Sequence, residues 1–484
     1  MSFLTRTLLP VLLLPAIAHA QDSVDFNFDS SVFDDSSLFD ADVRSPRLFT
    51  FKLSQQTYGH INRHGGFDIN GQPDQQHQGT EINRTGLLVK YQHPFAQGWL
   101  LQGSAQAKSY WSGDYEYQAN GDAIDTELRI NELFVQRSSE RHSVSFGRQT
   151  IVWGETEGNS VLDIINTSEF RDLTIIDIED ARRNQWLLVW DYFGNTNFGN
   201  TSVDDRNAAQ SRGNWSTFLN LYPEFNPAPV RGSPFFFEPQ FNLSDYGRDQ
   251  PLFEAGTRWS RSFAGSDIAL MGAYLYENQL RYSAPADGAG DALATKSDFW
   301  LFGFSANRAI GKLLLKFDVA YKLDVLTDTA VFQQQVLQEG LQEGLQTAAP
   351  PMLSTRKKNQ LGTSFGFEYA ISNEQNISIG VLAQRFLDAD GGLAANESLL
   401  NDDVTGNILL RYSNSMSNNN LLLTLTAQSA LDGESLLISL AANYNLNDNW
   451  ALMGQLIATR ASKEAMLHFL DQDVRLGATV SYSF

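Results

Sequence analysis

The stretch DVRLGATVSYSF (residues 473–484) decides the fold. Val474, Leu476, Ala478, Val480, Tyr482 and Phe484 fall on one side of an extended chain, and Arg475, Gly477, Thr479, Ser481 and Ser483 on the other. Alternation with a period of two is the mark of a strand with one apolar face. The same rhythm recurs in KLLLKFDVAYKLD, where Leu315, Phe317, Val319, Tyr321 and Leu323 alternate with Lys316, Asp318, Ala320, Lys322 and Asp324. It returns at Leu87/Val89/Tyr91, Leu421/Leu423/Leu425 and Ile438/Leu440/Ala442/Tyr444. A soluble sandwich would bury the apolar face and wet the other, so one strand alone does not choose between architectures.

The aromatic ending chooses. Tyr482 and Phe484 close the last strand, as in the C-terminal assembly signal of bacterial outer-membrane barrels, which is handled by the barrel-assembly machinery. Aromatic residues at strand ends also suit the girdle where such barrels meet the edge of the lipid. The expected fold is all-β: a transmembrane antiparallel β-barrel of about 18 strands (16–18), with an inward-folded constriction segment. Connection lengths agree. NLNDN, SMSNNN, SNEQN, RAIGK, SFAGSD, SSER and HPFAQG are short, and the links between them are mostly longer. Short periplasmic turns alternating with longer outer loops is the barrel asymmetry. One link, Gly194–Gly213, is long where a short one is expected and reads as an insertion.

Residues 1–20 carry Arg6, the apolar run LLPVLLLPAIA and the small-x-small site Ala18-His19-Ala20. They read as a signal peptide cut before Gln21, which sends the chain to the Gram-negative cell outer membrane, in contact with its lipids. Cysteine is absent, which removes disulfides and thiolate metal sites, and a net charge of −21 argues against a nucleic-acid partner. Residues 21–45 form an acidic periplasmic segment with Phe26, Phe28, Phe33 and Phe39, too polar to make a core alone. Residues 46–484 are the barrel.

Within the barrel the rhythm breaks at GRQTIVWGETEGNSVLDIINTSEFRDL (residues 147–173). The strand from Ser143 is expected to run to Trp153. Strict alternation would put Arg148 on the lipid face, and a bulge at Gly147 would turn it inward. Ser160 with Asp163 resembles a weak capping box, which predicts a short helix with Val161, Leu162, Ile164 and Ile165 on one face. A loop free in water would not need these apolar residues or Leu173, Ile175, Ile176 and Ile178. Non-strand backbone at membrane depth is tolerated only inside a protein or a water-lined cavity. Residues 155–183 are therefore expected to fold inward as a plug, with an ordered external cap as the competing reading. Glu155, Asp163, Arg171 and Asp172 would hold it, with Arg148 on the facing wall, and Trp153 and Asn166 belong to the same set.

Gly147-Arg148-Gln149, Trp153-Gly154, Asp163-Ile164-Ile165-Asn166 and Arg171, in this order, resemble the hallmark of an uncharacterised family of Gram-negative outer-membrane barrels. LYPEFNPAPVRGSPF (residues 221–235) resembles a second block of that family. The resemblance implies association with a periplasmic outer-membrane lipoprotein and an inner-membrane exporter of the resistance-nodulation-division type. It also implies trans-envelope movement of hydrophobic or lipid-like molecules, and it supplies no catalytic residues.

Other constellations are weaker. His60 and His64 have helical metal-ligand spacing but sit at a strand end, and a metal site needs further ligands in fixed geometry. His60, His64, His77 and His468 show no nucleophile-base-orienter spacing, so no catalytic, cofactor or metal residues are assigned and no enzyme activity is expected. Phe235, Phe236 and Phe237 stand in an outer loop that could collect a hydrophobic ligand or pack over the rim. VFQQQVLQEGLQEGLQ (residues 331–346) reads as a short amphipathic loop helix. The reading that follows is a channel or conduit for hydrophobic or amphipathic molecules. Its alternatives are a channel for polar solutes or exopolysaccharide, which predicts a lumen lined with Arg and Lys, and a structural or surface-binding barrel with a closed lumen.

Overall fold

The computed structural model describes residues 48–62, 80–115, 117, 125–156, 158–169, 182–194, 213–227, 252–263, 265–279, 281–283, 293–328, 354–387, 404–462, 465 and 470–484. Residues 1–20, read above as a signal peptide, the acidic segment 21–45, Arg171, Asp172, His64, His77, His468, Phe235–Phe237, the body of the 194–213 insertion and the amphipathic stretch 331–346 lie outside the described residues.

Eighteen strands form one sheet. In chain order they are β1 (Phe49–Asn62), β2 (Thr80–Ala96), β3 (Trp99–Tyr110), β4 (Asp125–Ser138), β5 (His142–Gln149) and β6 (Gln185–Tyr192). Next come β7 (Asn214–Asn220), β8 (Glu254–Phe263), β9 (Ser266–Tyr276), β10 (Asp298–Ile310), β11 (Leu313–Asp328) and β12 (Ser354–Ala370). The last six are β13 (Gln375–Phe386), β14 (Thr405–Met416), β15 (Leu421–Ala430), β16 (Ser435–Asn445), β17 (Trp450–Ala461) and β18 (Val474–Ser483). Each pairs antiparallel with the next, and β18 pairs with β1 from Lys52↔Ser483 to Asn62↔Val474, so the barrel closes and no sheet edge is left. Two short pairings lie outside it: Thr167–Ser168 with Arg182–Arg183, and Arg281–Ser283 with Leu293–Thr295.

Both faces follow from the alternation. On β10, Trp300 and Phe302 are exposed while Phe299, Leu301 and Ser305 are buried, and on β11 Phe317 is exposed while Lys316, Asp318 and Ala320 are buried. The exposed face is Leu, Ile, Val and aromatic, the composition a barrel presents to hydrocarbon. The other face carries the charges, amides and hydroxyls.

At one end β2–β3, β4–β5, β8–β9, β10–β11, β12–β13, β14–β15 and β16–β17 are joined by short connections. Four of them turn on left-handed residues: Gly98 (φ 74°), Gly265 (φ 73°), Gly311 (φ 62°) and the run Ser417, Asn418, Asn419 (φ 54°, 55°, 67°). At the opposite end the links are longer, except 431–434, which turns on Gly433. At the tight end the aromatic residues form a continuous band. Trp450 touches Tyr482 (4.9 Å between centroids), Tyr482 touches Phe484 (5.7 Å), and Phe484 stacks on Phe51 (5.3 Å). The band continues through Phe49, Tyr91, His93 and Phe95 to Trp99. Phe484 also exchanges two backbone hydrogen bonds with Phe51, of 3.1 and 3.0 Å.

At the long-link end the seam between first and last strands is tied by charge. His60 lies 2.8 Å from both Glu81 and Asp473, and Arg475 reaches Glu81 at 3.1 Å and Asp473 at 2.8 Å. Burial pushes the Asp473 carboxyl up, but the hydrogen bond from His60 and the Arg475 charge more than offset this, holding it below the usual carboxylate range.

Two expectations for the 147–173 stretch are corrected. Strand β5 ends at Gln149, not Trp153. Residues 160–166 form a turn at 161–162 and a bend at 165–166 rather than a helix. The cap forms, with the Leu162 amide on Ser160 Oγ (3.1 Å), but no helix follows: the carbonyls of Ile164 and Asn166 accept from Asn278 (2.9 and 2.7 Å) and that of Ile165 from Gln185 (2.7 Å), so they are turned away from a next helical turn.

Candidate functional site

Residues 153–169 pack against the buried face of the sheet, and glycines make the room. A Cβ at Gly256 would meet Trp153, one at Gly303 would meet Leu162, and one at Gly362 would meet Val161. Likewise Gly366 faces Thr156 and Gly380 faces Asn159. These glycines sit on β8, β10, β12 and β13, at positions where a side chain would occupy the space the segment fills. Around them Trp153, Val161, Leu162 and Ile165 join Leu187, Val189, Phe218, Met271, Leu275, Phe299, Leu301, Val325 and Leu382 in one apolar cluster. Trp153 meets Phe218 edge-on at 5.3 Å.

Polar groups pin the segment at points spread over many strands. Asp318 on β11 is the centre. Its carboxylate accepts from the amides of Glu155 (3.1 Å) and Thr156 (3.0 Å) and from Ser160 Oγ (2.8 Å). Those three donors satisfy a charge that is fully buried. Glu155 in turn accepts from Arg258 on β8 (3.2 Å) and from Asn307 on β10 (2.8 Å). Glu169 accepts from Arg183 at 3.1 Å and lies 3.5 Å from Arg129 on β4. Asn278, beyond β9, donates to the carbonyls of Ile164 (2.9 Å) and Asn166 (2.7 Å), and Gln185 donates to Ile165 (2.7 Å).

Among the residues named from sequence, Glu155 is where a wall charge holds the segment, but the partner is Arg258 and not Arg148. Asp163 pairs with Arg182 (3.1 Å), inside the segment rather than on the wall. Asn166 uses its side-chain amide like a strand neighbour, accepting from the Ile151 amide (3.1 Å) and donating to the Ile151 carbonyl (2.7 Å). Arg148 is buried on Glu224 and donates to the Ile130 carbonyl (2.8 Å). The register places it between Leu133 and Trp186, both exposed, and β5 keeps continuous register with both neighbours. The departure from alternation is therefore made by Gly147, at φ 139°, and not by an inserted residue.

The partners that sequence reasoning missed are Asp318, Ser364, Arg258, Asn307, Asn278 and Glu224. The legible signal was the glycine set on the polar face: Gly303, Gly362, Gly366 and Gly380 each replace a side chain that strict patterning would supply.

The block 221–227 closes the arrangement. Glu224 donates its amide to Gln185 Oε1 (3.1 Å), and Asn226 Oδ1 accepts from the Ser168 amide (2.8 Å). The Lys296 ammonium sits 4.6 Å over the Phe225 ring. The two sequence blocks therefore meet in space, the first through Arg148 and Ser168, the second through Glu224 and Asn226, with Gln185 between them.

No family model matches this chain, and no curated protein matches it. Solved structures with a related outline include porins. The Salmonella typhi OmpF complex with daunomycin is 8% identical, with a TM-score of 0.44, over 90% of this chain and 97% of that one. A mutant of the Rh. blastica porin is 11% identical with a TM-score of 0.37, over 90% and 99%. An anion-selective porin from Comamonas acidovorans is 10% identical with a TM-score of 0.36, over 90% and 98%. The fold rests on the strand register itself and not on these distant likenesses.

Proposed function

We propose that this chain is an outer-membrane channel for small polar solutes, with residues 153–169 lying in the lumen and narrowing it. The observation that carries this reading is the packing of the segment onto the glycine-lined, buried face of β8–β13. In a closed barrel with an apolar exterior, that face is the lumen wall. A barrel of this size without an internal element would enclose an open aqueous channel. The tight turns and the aromatic band would lie on the periplasmic side.

The lipid-like cargo implied by the family resemblance would need an apolar path. The apolar part of the wall is covered by the segment's own Trp153, Val161, Leu162 and Ile165. The wall beyond it, on β14–β18, presents Asn407, Thr424, Thr426, Ser439, Gln455, Thr459 and Thr479, which suits polar solutes. Beside them stand Arg411 and Arg475 and the buried apolar Leu409, Leu437 and Ile457, so this wall is mixed and is not the Arg and Lys lining that an anionic polysaccharide would call for. A periplasmic lipoprotein and an inner-membrane exporter remain partners proposed on the resemblance alone.

The test is reconstitution of the purified protein into planar bilayers and liposomes. The reading expects discrete ion conductance and permeation of small neutral solutes, with lipid-like probes retained. A protein that folds, inserts and neither conducts nor passes solutes would be a closed structural barrel.

A further inference from the structure

Two amide side chains on the wall and on the segment beside it have no partner for either polar atom. Asn159 is 1% exposed and Asn407 is 3% exposed, and the Nδ2 and Oδ1 of each are buried without a hydrogen bond. Such groups ordinarily find a partner, because an amide taken from water and left unpaired is destabilising. They are close in the fold. Asn159 stands over Gly380 on β13. Two residues along that strand, Leu382 is the cross-strand partner of Asn407 on β14. The Thr156 hydroxyl, whose methyl group also lies over Gly380 and Gly366, is buried and unpaired on the same side of the segment.

The chemistry of the set restricts its ligand. A carboxylate or phosphate only accepts, so it would satisfy both Nδ2 groups and leave both Oδ1 atoms unpaired. An ammonium only donates and would leave the reverse. Only groups that donate and accept together can satisfy both amides, and hydroxyls do so. The nearby charges do not alter this: Asp318 is occupied by three donors, and Lys316 is held by Glu368 at 2.6 Å. We propose that Asn159, Asn407 and Thr156 form a subsite for an uncharged polyhydroxylated solute, a neutral sugar or polyol, at the edge of the constriction. This rests on the channel reading and names the solute class for it. Each amide is nearly covered, so binding includes a small local opening at the segment's edge.

The experiment uses the full-length protein and maltotriose as the probe. In planar bilayers the sugar should interrupt the ion current in a concentration-dependent way. Asn159→Ala and Asn407→Ala should each raise the half-blocking concentration, measured against each variant's own sugar-free current, about ten-fold, as expected for loss of about 1.4 kcal/mol. An equal-sized uronate should block more weakly than the neutral sugar. The same titration is run calorimetrically on detergent-solubilised protein, which reads binding without conductance. Sugar heat that is abolished in the double variant supports the subsite even if the barrel conducts nothing, in which case only the channel reading falls. A conducting channel whose current or heat is indifferent to the sugar, or whose block is unchanged in both variants, overturns the subsite; the amides then hold water only.

Discussion

Arg148 and Glu224, 76 residues apart in sequence, form a two-point charge pair, with Nη2 2.9 Å from Oε2 and Nη1 on Oε1. The same guanidinium holds the Ile130 carbonyl, so one side chain joins β4, β5 and the 221–227 block. A planar fork suits this geometry, and a lysine would offer only a point charge. Arg148→Lys is expected to weaken the site nearly as much as Arg148→Ala. Removing one member of a largely buried pair costs about 3–5 kcal/mol in the strongest cases, and the partial exposure of Glu224 places this pair below that range. The readout is the temperature at which the folded, fast-migrating form converts on gels. Conversion temperatures equal to the parent's in both variants would show that the pair holds nothing.

The glycines facing the segment should act as steric switches. A side chain at 303 must take the space of Met271 and Leu162, and one at 362 that of Val161. Gly303→Val and Gly362→Leu should lift the segment from the wall while leaving the strand ladder intact, since Val and Leu fit strands well. Assembly yield should stay near the parent's and single-channel conductance should rise or flicker. A variant that assembles with parental, steady conductance contradicts the packing described.

Deleting Phe484 should reduce the folded yield more than it affects the channel formed by the surviving fraction. The residue contributes two backbone bonds to Phe51 and a ring stacked in the aromatic band. Comparing heat-modifiable protein in outer-membrane fractions measures this, and an unchanged yield counts against an assembly role.

The seam between β18 and β1 should loosen in acid. Asp473 is held below the usual carboxylate range, so its contribution is present above the unfolded-state value of about 3.9 and is lost as pH falls through the folded-state value. Asp473→Asn should lower stability at neutral pH and flatten its dependence below about pH 4. A parent and variant with parallel acid profiles would remove Asp473 from the seam's pH response.

How much of this was legible beforehand follows from distance along the chain. The strands were readable because alternation is a property of neighbouring residues, and the turns because Gly98, Gly265, Gly311 and the Ser417–Asn419 run announce their backbone conformation locally. The apolar segment was readable as an anomaly, since Val161, Leu162 and Ile165 have no place in a solvated loop. Its partners were not. Asp318 lies 158 residues from Ser160 and Ser364 lies 203 residues from Val161, and nothing in a single sequence sets those registers. The helix expected at 160–165 failed for the same reason: Asn278, 114 residues from Ile164, takes the carbonyls through which a helix would continue.

The central claim is that residues 153–169 narrow the lumen. Its most direct measurement is the single-channel conductance of a variant in which residues 158–175 are replaced by a short Gly-Ser link, alongside Asp318→Ala, which frees the three donors gathered on that carboxylate. Both proteins should assemble as heat-modifiable barrels. The shortened one should conduct several-fold more and admit bulkier solutes, and Asp318→Ala should show intermittent openings of the same size. A shortened protein that assembles normally and conducts no better than its parent would contradict the claim: the segment would then lie outside the conducting path and narrow nothing.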